Sequence, residues 1–326
     1  MRKLVFLALG SVLFAQPPAQ QKQQQGGEDL PSIKVSVDIV NILASVRDRK
    51  GALVPNLEKD DFTILEDGKP QTIKYFTRET DLPLTIGLLV DVSASQGRLI
   101  EIEQSAASQF LAAVLRKKDE AFLISFGEEA ELLQDYTNST RLLNDGLKGL
   151  RVSSGVGGLH PGPVPSTPRG TVLYDAVYLA AAEKLRTEVG RKVIVVITDG
   201  VDQGSRLNIN QAVEAAQKAD AVIYSIDYSD PGFYGPFAFG GGGGEGALHK
   251  LSDETGGHVF KVDRKHTLDQ IFKELQDEMR SQYSIGYTPT NDSWDGSYRK
   301  LDIRLSNKDL KAQARKGYYA VKPVSQ

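Results

Sequence analysis

Four nearly unbroken apolar runs mark the middle of the chain: 84–90 (LTIGLLV), 120–126 (EAFLISF), 192–198 (KVIVVIT) and 221–227 (AVIYSID). Runs of this length without polar alternation suit strands buried on both faces of a parallel sheet. Between them the period changes to that of a helix. Ile102, Ala106, Phe110 and Val114 recur at helical spacing in 99–115, and further helices are predicted at 141–150, 172–185, 209–219, 248–254 and 267–280. Short strands are predicted at 130–133 and 258–262. Strands alternating with helices imply an α/β fold: a doubly wound, mainly parallel, Rossmann-like sheet with helices on both faces.

The two flanks follow a period of two. Val35, Val37 and Ile39, then Ile42, Ala44 and Val46, outline a long half-buried strand with a bulge near Val40 and Asn41. Phe62, Ile64 and Leu65 lead into Glu66-Asp67-Gly68-Lys69, whose Asp-Gly pair predicts a tight reversal onto a partner strand at 71–76. Past Ser281 come strands at 282–287, 299–305 and 312–320, with a turn at 291–296. Neither flank holds enough strands to close a sandwich by itself. The expectation is one small β-sandwich, assembled from residues 33–83 and 282–322, with the α/β domain of residues 84–281 inserted between its halves and a short tail at 323–326.

The first fifteen residues change the picture of where the protein works. Arg2 and Lys3 precede an apolar run at 4–9 and a small residue, Ala15, the layout of a secretory signal peptide cleaved after Ala15. An uncleaved anchor is the alternative. Residues 16–32 are rich in Gln, Pro and Gly and read as a disordered leader. No later segment reaches the apolar length of a membrane helix, so the mature chain is expected to be exported, periplasmic or extracellular, with no intrinsic membrane span.

The 326 residues are 40% hydrophobic, enough for a substantial core. Losing Arg2 and Lys3 would take the formal charge from −3 to −5, which argues against nucleic acid or an anionic membrane as partner. The sequence has no cysteine, so export here brings neither disulfides nor a lipid-accepting thiol.

Candidate chemistry sits at the ends of the apolar runs. Asp91, Ser93 and Ser95 follow the first, where ligands of open α/β sheets bind. A carboxylate and two hydroxyls, with no His or Cys, favour Mg²⁺, Mn²⁺ or Ca²⁺ over zinc. The competing reading of these residues alone is a capped helix start. Two more stretches bear on the choice: RGTVLYDAV at 169–177, where Thr171 opens an apolar helix, and KVIVVITDG at 192–200, which ends in Thr198 and Asp199. Strand-Asp-x-Ser-x-Ser, loop-Gly-Thr-helix and strand-Thr-Asp-Gly, in this order, resemble the von Willebrand factor A family and its metal-ion-dependent adhesion site. The resemblance covers roughly residues 84–280. It implies that Ser93, Ser95 and Thr171 are hydroxyl ligands of a divalent cation, Mg²⁺ ahead of Mn²⁺ or Ca²⁺, and that Asp91 and Asp199 are carboxylates on the ion or one layer out. It also implies that the strand near Ala130 is the antiparallel edge. The whole mature chain resembles an acidobacterial-type family of exported proteins with an A-like domain.

The resemblance implies binding rather than turnover: a protein ligand presenting a carboxylate would complete the cation's shell. Phe233, Tyr234, Phe237 and Phe239, in the glycine-rich loop at 228–245, are candidate partner contacts, with a folded-back lid as the alternative. Rival functions are a scaffold with a vestigial metal site and a Mg²⁺-dependent phosphohydrolase using Asp91 as phosphoryl acceptor. The second lacks a carboxylate where Ser93 stands and has no evident general base. Gly241, Gly243 and Gly246 fit a dinucleotide fingerprint only trivially, inside a glycine run.

Overall fold

A computed structural model describes residues 39–78, 82–152, 170–229 and 243–321. The expected leader at 1–32 and the aromatic quartet Phe233, Tyr234, Phe237 and Phe239 lie outside the described residues. Fourteen strands make three sheets among these residues.

The central sheet has six strands: β5 (Leu84–Asp91), β6 (Glu120–Phe126), β7 (Ala130–Thr137), β8 (Arg191–Thr198), β9 (Ala221–Asp227) and β10 (Val259–Lys261), in the spatial order β10-β9-β8-β5-β6-β7. All pairs are parallel except β6 with β7, the antiparallel edge. One face carries α1 (Ile100–Val114), α2 (Thr140–Leu147) and α6 (Leu268–Arg280); the other carries α3 (Leu173–Tyr178), α4 (Ile209–Lys218) and α5 (Gly243–Thr255). Side chains of a strand alternate between faces, so Val193, Val195 and Ile197 of β8 enter the first core while Ile194 and Val196 enter the second. Every residue of β5 and β8 is buried, which is why both lack polar alternation. The helix predicted at 172–185 is α3 followed by a π-helical stretch, Leu179–Leu185.

The flanks form two four-stranded antiparallel sheets around one core. β1 (Val40–Arg47), β4 (Ile73–Arg78), β11 (Tyr283–Tyr287) and β13 (Lys311–Ala314) make one, in the order β13-β1-β11-β4. β2 (Phe62–Glu66), β3 (Lys69–Gln71), β12 (Tyr298–Leu305) and β14 (Gly317–Tyr319) make the other, in the order β14-β12-β2-β3. Ile42, Ile64, Ile285 and Tyr287 meet between them. Glu66 is buried there and accepts hydrogen bonds from the hydroxyls of Tyr287 (2.6 Å) and Tyr318 (2.7 Å).

Three strand expectations need correction. The partner of β2 after the Asp67-Gly68 turn is only Lys69–Gln71; from Ile73 the chain crosses to the other sheet as β4. The single strand expected at 312–320 is likewise β13 and β14, in different sheets. Sandwich corners of this kind are set by which sheet each half can complete. The bulge expected near Val40 and Asn41 is absent: β1 pairs with β11 in unbroken register from Val40 to Ala44, and the irregularity falls instead at Gly286/Tyr287 opposite β4.

A buried polar cluster joins the end of α6 to β1. The Glu278 carboxylate, fully buried, accepts from Ser45 Oγ (2.9 Å) and Arg47 Nη2 (2.6 Å) and meets His258 Nδ1 at 3.2 Å. Burial works to raise the Glu278 pKa, but the His258 contact, Arg47 and Ser45 together hold it below the usual glutamate range.

Candidate metal site

β5 stands between β6 and β8, so successive crossovers leave it in opposite directions and its carboxyl end is a topological switch point. Asp91 is the last residue of β5 and is fully buried. Close packing brings it there: a Cβ on Gly87 would stand 2.4 Å from Phe122 Cζ, so only glycine lets β5 and its neighbour's ring share this space.

Both oxygens of Asp91 are engaged. Oδ1 accepts from the Ser93 amide (2.8 Å), which turns the chain, and Oδ2 accepts from Thr198 Oγ1 (2.5 Å) at the tip of β8. Thr198 Oγ1 in turn accepts from the Gly200 amide (3.1 Å). A single 3-10 turn, Ala94–Gln96, then carries Ser95, with Ser93 just before it, and the two hydroxyls are hydrogen-bonded at 3.0 Å. Ser93 occupies the cap position of that turn, yet its side chain makes no capping bond; this disfavours the helix-cap reading of the motif.

Asp199 follows directly and is 7% exposed; its Oδ1 accepts from the Val201 amide (3.1 Å). Its negative charge acts on Asp91. Thr171 is 8% exposed and its segment is tied to the same rim: the Thr171 carbonyl accepts from the amides of Gln203 (3.1 Å) and Gly204 (3.2 Å), and the Val172 amide donates to Gly127 just beyond β6 (2.9 Å). Asp202, Ser205 and Asp175 cross-tie the loop after β8 to the start of α3, with Ser205 Oγ donating to Asp202 Oδ1 (2.6 Å) and the Leu207 amide to Asp175 Oδ1 (3.0 Å). Segments carrying Asp91, Ser93, Ser95, Thr171 and Asp199 thus converge at one end of the sheet.

Burial pushes the Asp91 carboxyl up to about 6, against the bonds from Thr198 and Ser93, and Asp199 adds to the rise. Glu103 on α1 is fully buried with both carboxylate oxygens unpartnered; burial pushes its pKa well up and the charge of Asp91 adds to the effect. Sequence reasoning gave no role to Thr198 or Glu103. The signal for Glu103 was its spacing from Ile100 and Ala107, three and four residues away, which places it in the buried stripe of α1.

No three His, Cys, Asp or Glu residues gather for a metal among the described residues. The donors at this rim are two carboxylates and three hydroxyls, a hard-oxygen set. Adjacent ligands of an octahedral ion with bonds of about 2.1 Å stand about 3 Å apart. Ser93 Oγ and Ser95 Oγ, hydrogen-bonded to each other at 3.0 Å, match that edge, so these two hydroxyls fit adjacent positions on such an ion.

Residues 163–274 match the family model for the von Willebrand factor type A domain, a range that includes Thr171 and Asp199 and begins after the strand bearing Asp91. An uncharacterized protein of Borreliella burgdorferi is 22% identical over 233 residues, 69% of this chain and 62% of that protein, so the match leaves over a third of the relative uncovered. Among solved structures, an aerotolerance-related membrane protein from Bacteroides fragilis aligns at 16% identity over 60% of this chain and 98% of its own, with a TM-score of 0.42. The proximal thread matrix protein 1 of the mussel byssus, in a form with a zinc-occupied MIDAS motif, aligns at 15% identity over 63% of this chain and 48% of its own, with a TM-score of 0.43.

Proposed function

We propose, from the premise that this chain carries a von Willebrand factor type A domain, that it binds a protein ligand through a divalent cation held by Ser93, Ser95 and Thr171, with Asp91 and Asp199 as the anionic residues of the site. The observation that carries the proposal is the pair of serine hydroxyls 3.0 Å apart beside the buried Asp91 carboxylate. Bound there, a Mg²⁺ or Mn²⁺ ion would supply an electrophilic centre whose remaining position a partner's carboxylate can take. This chain's own part is to hold the oxygens. Thr198 and the Ser93 amide fix Asp91, and the ties from Asp175 and Asp202 hold the Thr171 segment against the loop after β8.

The same reading makes the protein a binding module rather than an enzyme, exported once a leader at 1–15 is removed, with residues 84–281 set inside a β-module formed by 33–83 and 282–322. Among the described residues no helix is long and apolar enough to cross a membrane. Calorimetric titration with Mn²⁺ and Mg²⁺ tests the site: saturable binding by the wild-type chain and its loss in Asp91→Ala are expected. Equal binding by both would remove the assignment. Pulldown from an envelope fraction with and without chelator then tests the partner, and a captured protein unaffected by chelator would count against cation-mediated binding.

A further inference from the structure

At the opposite end of the sheet from Asp91, a cleft of two adjoining lobes, about 270 Å³ and 390 Å³, opens where β8 and α4 approach β1 and β14. Lys192, Glu188, Asp220 and Arg315 line both lobes. Lys192 is the second residue of β8 and points to the α3/α4 side of the sheet, with Ile194 and Val196 above it. It is 8% exposed, and its ammonium has no hydrogen bond or ion pair among the described residues. Most of its side chain is packed away while its Nζ is not sealed from solvent, so the ammonium is presented to the cleft, where an anion can meet it.

We propose that this cleft is a second ligand site, which takes a small monoanionic carboxylic acid with an apolar or aromatic body, its carboxylate on Lys192 and its body in the larger lobe against Trp294 and Tyr319. The other charges decide the class. Arg315 is paired with Asp220, and Lys218 Nζ with Glu214 Oε1 at 2.5 Å. What remains on the lining of the larger lobe is Lys192 and the exposed Arg186 against Glu188, a surplus of one positive charge, which suits a monoanion better than a phosphate dianion; Arg191, on the smaller lobe, donates from Nη1 to the Met279 carbonyl (2.6 Å). The larger lobe is bordered by Ile39, Val189, Trp294, Tyr318 and Tyr319, apolar surface of the kind that holds the body of a ligand, and its volume lies within the range of small-molecule sites. Burial also draws the Lys192 pKa below that of an ordinary lysine, while Asp220 and Glu188 act in the opposite sense from beyond pairing distance. A bound carboxylate would restore the charged form.

The site shares no residue with the cation rim, so its test stands apart from the proposed function. Phenylacetate, its neutral amide phenylacetamide and inorganic phosphate are titrated against the full chain by NMR. The expected result is saturable phenylacetate binding, at least about tenfold tighter than phenylacetamide, as a charge-assisted hydrogen bond requires. Phosphate is expected not to displace phenylacetate at equal concentration. In Lys192→Met, which keeps the side-chain volume and removes the charge, the preference for acid over amide should vanish without a loss of thermal stability. No saturable phenylacetate binding, equal binding of acid and amide by the wild-type chain, or acid preference persisting in Lys192→Met would overturn the proposal. The acid-to-amide comparison on the wild-type chain decides the matter even if the variant does not fold.

Discussion

Asp91→Asn in the metal-free protein isolates the cost of the buried carboxylate at the proposed cation site. The wild-type carboxyl is fully buried and its pKa stands at about 6, against the ordinary 3.8 of an aspartate. A gap of about two pH units, at roughly 1.4 kcal/mol each, amounts to about 3 kcal/mol. The sign follows from proton uptake. Between pH 3.8 and about 6 the folded chain holds this proton more tightly than the unfolded chain, so the contribution of Asp91 is most favourable below 3.8 and is lost as pH rises through 6. Asparagine keeps the shape, can accept from the Ser93 amide at the Oδ1 position, and can donate to Thr198 Oγ1 once that hydroxyl rotates. The variant is therefore expected to match the wild type near pH 4 and to exceed it by up to about 3 kcal/mol at pH 7.5 in chelator, measured by urea denaturation. Because Glu103 feels the charge of Asp91, some of the gain will come from relief of that carboxyl. A difference that stays flat from pH 4 to 7.5, or a variant less stable than the wild type at neutral pH, would show that Asp91 is not held at a cost and would refute the reasoning.

The remaining predictions concern neighbouring parts of the same architecture. Replacing Ser93 and Ser95 together by alanine should weaken Mn²⁺ binding by at least about tenfold, since each lost oxygen ligand must be made up by water, while leaving the melting temperature in chelator within a few degrees; unchanged Mn²⁺ affinity would exclude the serines as ligands. Glu278→Ala leaves Arg47 and His258 without their buried partner and should cost about 3–5 kcal/mol in denaturant unfolding; a loss below 1 kcal/mol would mean the cluster is incidental. Because the Glu278 pKa is lowered in the fold, its contribution is present above the ordinary 4.5 and is lost as pH falls through the folded value, so Glu278→Gln should flatten the acid limb of the stability curve. Gly87→Ala forces a methyl against the Phe122 ring and should cost about 1–3 kcal/mol, with partial rescue by Phe122→Leu; full stability of the single variant would show that the ring can move aside.

Much of the central sheet was legible because burial on both faces leaves a local mark. β5, β8 and β9 are apolar runs in the sequence, and their ends are where Asp91 and Asp199 stand. The flanking strands were legible as strands but not in their partners. Nothing local at Thr72 marks the passage from β3 to β4, since Gln71 and Ile73 are both buried and only the identity of the neighbouring sheet changes. The break between β13 and β14 has a distant cause. The Lys316 amide donates to the Glu254 carbonyl at the end of α5 (3.1 Å), and Gly256 approaches Arg315 so closely that a Cβ there would stand 2.6 Å from its amide nitrogen. That grip comes from sixty residues earlier in the chain, outside the reach of any short window. At the rim, residue types alone pointed to the oxygens proposed here as donors, Asp91, Ser93, Ser95, Thr171 and Asp199. The role of Thr198 as the support of Asp91 required the register that sets β8 beside β5.

The sandwich has a consequence for the order of events during synthesis. Asn41 on β1 and Ser284 on β11, hydrogen-bonded across the pair, stand 243 positions apart. At ordinary elongation rates, β1 leaves the ribosome roughly 12 to 50 seconds before the strand that covers it exists. The α/β segment is contiguous in sequence and builds two cores of its own, so it can collapse during that interval, while the early strands wait with open edges of the kind other chains can pair with. Late closure by β11 to β14 then makes the end of the polypeptide decisive for β1 to β4, and a nascent chain arrested before Tyr283 should be protease-resistant across the α/β segment and cleavable between Val40 and Arg78.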